Sequence, residues 1–230
     1  MPRIRAHRPK KKKPHYRLPP LPPICIKVYG SSHASKKHGL QRSLYKFFQE
    51  QDRGHFPPSG LDFYAEPGGR IGPRIVSMVR KALSDSLGKP QCHVLIWGTN
   101  NARDKEKPAS IAAHFRQILE FAEGIPKSHV VVCGLLPSPE GAERKGSTTE
   151  VFRDISILLK DLTTRYSRCS FLDIPDFFTD NGVVKEHLYS VVRKGRMRGL
   201  KDIHFNREGA ALYAKALGQH IAFLKRETWL

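Results

Sequence analysis

Apolar residues come in short runs separated by longer stretches of helical spacing, and this rhythm holds from residue 24 onward. The runs 24–29, 61–65, 93–97, 129–133 and 170–174 are rich in β-branched and aromatic side chains. Near-continuous apolar runs of this length predict strands covered on both faces. Between and after them, helical spacing predicts helices around 38–52, 72–87, 108–124, 149–166 and 207–225. In 149–166, for example, Phe152, Ile155, Leu158, Leu159 and Leu162 fall on one face. Strands alternating with helices predict an α/β fold, a five-stranded and mostly parallel sheet with helices on both faces. Ligands in such folds bind at the carboxyl ends of the strands.

Residues 1–23 break the rhythm. Lys10-Lys11-Lys12-Lys13 cannot pack, and Leu18-Pro19-Pro20-Leu21-Pro22-Pro23 favours an extended linker. The segment reads as a disordered, basic, proline-rich tail in front of one folded domain, 24–230. Two roles fit it: a solubilising spacer, or a nucleic-acid arm or nuclear localisation signal. An Arg-rich, acid-free start also leaves a mitochondrial presequence open, although the prolines oppose the amphipathic helix that such presequences form.

Charge sharpens the picture. The chain of 230 residues has a net charge of +19, which favours polyanionic partners. A second basic stretch carries Lys185, Arg193, Lys194, Arg196, Arg198 and Lys201 against one acid, Glu186. It reads as a solvated loop or as a phosphate-contacting rim, with Arg193, Lys194, Arg196 and Arg198 as candidate nucleic-acid contacts beside Lys10 to Lys13. The four cysteines, Cys25, Cys92, Cys133 and Cys169, each fall in a predicted strand or directly before one and form no Cys-x-x-Cys pair. That usage fits buried free thiols in a reducing compartment, hence an intracellular protein, cytoplasmic or nuclear. No apolar run reaches the roughly 18 residues of a membrane span. His33 and His38 are too isolated to suggest a metal site, and no cofactor is implied. Gly141 to Thr148 approaches a phosphate-binding loop, but Ser147 stands where that loop needs lysine.

The candidate chemistry lies at strand ends. Gly30-Ser31-Ser32-His33 follows the first strand, Pro67-Gly68-Gly69-Arg70 the second and Gly98-Thr99-Asn100-Asn101 the third; His204 precedes the last helix, with Asn206 as its N-cap. Singly, each has an ordinary structural role as a turn, a cap or a polar loop residue. Together they supply a nucleophile, oxyanion donors and a base, the parts that acyl transfer needs.

These four blocks, in this order over nearly all of 24–230, resemble the SGNH, or GDSL-type, hydrolases. The resemblance implies a three-layer, flavodoxin-like sandwich and a serine esterase or acyl hydrolase acting on a small ester. It makes Ser32 the nucleophile and His204 the base. Ser32, Gly68 and Asn100 become the oxyanion donors, with Gly69 the lesser alternative to Gly68. Ser31 and Asn101 replace two acidic residues of the family pattern. The triad acid is expected three residues before the histidine, where Lys201 stands, so Asp202 is the candidate through a shifted turn; without it the site is a Ser-His dyad or is silent. A basic, proline-rich arm before such a domain also resembles the esterase-bearing first open reading frames of LINE-type retrotransposons, which bind nucleic acid. The alternative reading is therefore a catalytically silent, nucleic-acid-binding protein of the same fold.

Overall fold

The computed structural model describes residues 24–51, 60–85, 88–139, 149–192, 199 and 201–228. The apolar runs form β1 (Cys25–Gly30), β2 (Leu61–Ala65), β3 (Gln91–Ile96), β4 (Ser128–Cys133) and β5 (Cys169–Leu172). They build one parallel sheet in the order β2-β1-β3-β4-β5. Every residue of the inner strands β3 and β4 is buried, as their unbroken apolar character requires. The edge strands β2 and β5 each bury a single residue fully.

Seven helices appear among the described residues: α1 (Leu40–Gln51), α2 (Pro73–Ser84), α3 (Thr99–Arg103), α4 (Pro108–Glu123), α5 (Thr149–Thr163), α6 (Ile174–Phe178) and α7 (Arg207–Thr228). One face of the sheet, with Ile26, Val28, Val94 and Val131, packs on Leu40 and Leu44 of α1 and on Tyr213, Leu217 and Ile221 of α7. The other, with Tyr29, Leu95, Val130 and Val132, packs on α2, α4 and α5. The result is the three-layer sandwich expected. Proline opens α2 and α4, where its missing N–H costs nothing. Ile75, Val76, Val79 and Leu83 then turn α2 inward, each side chain contributing about 1.5–3 kcal/mol on burial.

Three features depart from the sequence reading. The fifth strand stops at Leu172 and not at residue 174, because Ile174-Pro175 opens the short helix α6. Thr99 to Arg103 is a helix where a loop was expected. The largest departure is the stretch before the last helix, read as a loop. It holds a small hairpin, β6 (Thr179–Asp180) with β7 (Val183–Val184), and then an antiparallel pair, β8 (Tyr189–Val191) with β9 (Lys201–Phe205). His204 therefore stands on a strand, not in a loop.

The tail, including Lys10, Lys11, Lys12 and Lys13, and the loop residues Arg193, Lys194, Arg196 and Arg198 lie outside the described residues, as does Gly141 to Thr148. The four cysteines are free thiols. Among the described residues, no helix is long and apolar enough to cross a membrane.

Candidate active site

The strand order places a topological switch between β1 and β3, whose following loops diverge to open a crevice at the carboxyl edge. Ser32 leaves β1 on one side of it and Asn100 leaves β3 on the other. Gly30 makes the tight exit from β1 possible: a Cβ there would lie 2.7 Å from the Ala34 Cβ and 2.9 Å from the Ile96 carbonyl oxygen. The chain then turns into a single 3-10 turn, Ser32–Ala34. Ser31 is buried, while Ser32 keeps partial exposure.

Ser32 Oγ lies 2.8 Å from His204 Nε2, and His204 Nδ1 lies 3.0 Å from Asp202 Oδ2. An ionised carboxylate only accepts, so Nδ1 carries the proton and donates to Asp202. When that ring is neutral, Nε2 is the acceptor for the Ser32 hydroxyl. This is the tautomer in which histidine can take a proton from serine. Burial raises the proton affinity of Asp202, but the hydrogen bond from His204, its charge and the Ile203 and His204 amides outweigh it. The net shift of the carboxyl is downward, so Asp202 is an anion at neutral pH.

The strand explains how Asp202 reaches the histidine. Residues two apart on a strand share a face. Ile203 and Phe205 are buried, and Asp202 and His204 are half-buried on the other side. The acid thus needs to be two residues before the histidine here, where the family pattern has it three before. Asp202, the alternative to the Lys201 position of the family pattern, is thus the residue that meets His204.

Gly68 sits in the turn Glu66-Pro67-Gly68-Gly69, closed by Gly69 N–H donating to Glu66 O at 2.8 Å. Its φ is +75°, and with proline before it this is a type II turn, which favours glycine at that position. The closing bond occupies the Gly69 N–H. Among the described residues, the N–H groups of Gly68 and of Ser32 make no hydrogen bond. Asn100 Nδ2 donates one hydrogen to Gly69 O at 2.9 Å, which leaves its second donor. The structure thus ties Asn100 to the Gly68 turn, the two donor groups the sequence proposed.

Three further residues organise the site, and the sequence reading gave none of them this task. Asn101 is fully buried: its Oδ1 accepts from Ile71 N at 2.9 Å, and its Nδ2 donates to Ile71 O at 2.8 Å and Glu106 Oε2 at 2.6 Å. It pins the Gly68 loop to α3. An aspartate there could not make the two donor bonds, so the departure from the family pattern has a use. His33 is buried, and its Nε2 donates to Ile203 O at 3.1 Å, tying the nucleophile turn to the residue between Asp202 and His204. Burial and the His204 charge push its pKa down to about 3, which keeps the ring neutral. His38 stacks on His204, with ring centroids 4.0 Å apart and planes within 8°. Burial and His204 push it down to about 4. Asn206 caps α7 as the sequence suggested, accepting from Glu208 N at 2.9 Å and Gly209 N at 3.0 Å. A signal was present for β9: apolar and polar residues alternate through Asp202-Ile203-His204-Phe205. Nothing in the sequence pointed to the histidine stack, which joins residues far apart in the chain.

No protein-family model matches the sequence, and no curated protein matches it. Solved structures do match. A family 3 carbohydrate esterase from Clostridium thermocellum superposes with a TM-score of 0.62 at 14% identity, covering 90% of this chain and 100% of that one. An acetylxylan esterase from Geobacillus stearothermophilus gives 0.64 at 11% identity, covering 89% and 97%. A GDSL-like lipase from Bacteroides thetaiotaomicron gives 0.59 at 14% identity, covering 86% and 87%. The chain has the fold of the SGNH, or GDSL-type, hydrolases, as its four sequence blocks implied.

Proposed function

We propose that the protein is a serine esterase of SGNH type, with Ser32 as nucleophile, His204 as base and Asp202 as the acid that orients it. The observation that carries this reading is the unbroken chain of two hydrogen bonds, Ser32 to His204 at 2.8 Å and His204 to Asp202 at 3.0 Å. Ser32 Oγ attacks the ester carbonyl carbon as its proton passes to His204 Nε2, and Asp202 stabilises the imidazolium. The carbonyl oxygen becomes an oxyanion held by the N–H groups of Ser32 and Gly68 and the Asn100 amide. The intermediate collapses, the C–O bond to the alcohol breaks, and His204 returns the proton to the departing oxygen. Water, deprotonated by His204, then attacks the acyl-serine and releases the acid. The named esterases and lipase that share the fold support an ester substrate. The test is hydrolysis of short-chain p-nitrophenyl esters by the full chain beside Ser32→Ala and His204→Ala. Loss of rate in both variants is expected, and a folded protein with no rate above background sinks the reading.

The second reading, nucleic-acid binding by the fold without catalysis, draws on the net charge of +19. Its candidate contacts are Lys10 to Lys13 and Arg193, Lys194, Arg196 and Arg198. It expects affinity for an oligonucleotide to fall steeply between about 50 and 200 mM salt. Binding that survives neutralising those four loop residues together removes them from the interface.

A further inference from the structure

The steps of ester hydrolysis leave one charged feature beside the site without a role. Helices α1 and α7 lie side by side and run parallel in constant register: a Cβ at Gly39 would touch Ala210, and the Phe47 ring lies against Gly218. Above this contact is a groove of about 700 Å³, the size of a small-molecule site. Spacing of i, i+4 puts Arg42 and Lys46 on one wall, and the same periodicity puts Arg207 and Lys215 on the other. Lys37 adds a fifth cation. Among the described residues, Glu50 is the single acid lining the groove, and it lies 3.5 Å from Lys46. Among the described residues, Lys37, Arg42, Arg207 and Lys215 make no ion pair.

These four cations, without an acid partner among the described residues, repel one another around one groove, and an anion between the walls relieves all of those repulsions at once. The groove also has an apolar component in Phe47 and Ala210, which suits a ligand with a hydrocarbon or aromatic body behind its charge. Its position links it to the chemistry. His38 lines the groove, and its ring stacks on that of His204 at 4.0 Å. The His38 end of the groove therefore adjoins the ring of His204.

We propose that this groove binds a small anionic group, of the phosphate or carboxylate class, carried by the ester substrate. The substrate part rests on the esterase reading; the anion site does not. Two measurements separate them, both on the full chain at one fixed salt concentration. The first titrates phenyl phosphate, which cannot be cleaved as an acyl ester, into the wild type and Arg42→Gln/Lys215→Gln by calorimetry. Binding that weakens at least tenfold in the variant is expected. Absent binding, or equal binding by both proteins, overturns the anion site. So does an oligonucleotide that binds through Arg42 and Lys215 where phenyl phosphate does not, since it assigns the groove to a polyanion.

The second measurement compares hydrolysis of 4-acetoxybenzoate with that of its neutral methyl ester, cleaved at the same acetyl group. The wild type should favour the anionic ester in kcat/KM, and that ratio should fall at least tenfold in the variant. A ratio near one in the wild type, with phenyl phosphate bound, overturns the substrate assignment and makes a free anion the occupant. No cleavage of either ester overturns the esterase reading, and the titration then decides the groove alone.

Discussion

Asp202→Asn separates the triad from a dyad. Asp202 meets His204 through one oxygen at 3.0 Å, and its side chain is 38% exposed against 20% for the histidine. A hydrogen bond to a charged group contributes roughly 1.5–3 kcal/mol, or about ten- to 150-fold in rate. Partial exposure screens the pair, which places the expected loss in the lower part of that range, about ten- to fiftyfold. This is far less than the ~10⁴ seen where a triad depends on a buried acid. The amide can also present its N–H to His204 Nδ1, which would favour the wrong tautomer, so Asp202→Ala should be measured beside it. The assay is kcat/KM for p-nitrophenyl acetate, with Ser32→Ala as the floor. A change of less than twofold in both variants would refute the carboxylate's part in the reaction. A loss as complete as that of Ser32→Ala would refute the treatment of the pair as one screened hydrogen bond.

Asn100→Ala should lower kcat by about 10²–10³ with little change in KM, because an oxyanion donor acts in the transition state; stopped-time assays at saturating ester read it. Asn101→Asp loses donor bonds to Ile71 O and Glu106 and brings two carboxylates together, so it should destabilise by about 1–3 kcal/mol in urea unfolding. Gly218→Ala would drive a Cβ into the Phe47 ring, and shifting that ring should cost about 1–3 kcal/mol in the same measurement. Acid should destabilise the fold early. Burial lowers the pKa of His33 to about 3, His93 to about 3 and His129 to about 4, all below the unfolded value of 6.5. The unfolded chain therefore binds more protons below pH 6.5, and stability falls with pH from there down through those folded values. His33 alone should account for about 2 kcal/mol by pH 5. A urea midpoint unchanged between pH 7 and 5 contradicts this.

The sheet was legible because its strands are buried on both faces, which leaves unbroken apolar runs such as 93–97 and 129–133. The helices were legible through their one apolar face. Ends were less so: the apolar run of β5 continues two residues past its last strand residue, since Ile174 extends it and only Pro175 marks the change. The blocks holding Ser32, Gly68, Asn100 and His204 stood out because this topology puts ligands at strand ends, and the resemblance to the SGNH hydrolases singled out these four within them. What escaped reading depends on contacts between distant segments. His33 bonds to Ile203 across 170 residues of chain, and Asn101 to Ile71 across thirty. Neither has a signature in its own neighbourhood.

The acid position shows how local backbone geometry decides which residue meets the histidine. The resemblance to the SGNH hydrolases puts the acid three residues before the histidine, where Lys201 stands, and leaves Asp202 as the candidate through a shifted turn. Pairing of β9 with β8 turns the same sequence into a strand, whose period of two brings Asp202 alongside the histidine instead. That strand is held from two sides. Asn206, directly after it, donates through Nδ2 to His187 O at 2.6 Å, and His33 binds Ile203 O from the nucleophile turn. The pair Asp202 and His204 is thus tied to the nucleophile turn by the residue next to Ser32. A change at His33 should therefore act on catalysis through the placement of both partners, even though its own ring touches neither Ser32 Oγ nor the Asp202 carboxylate through any hydrogen bond.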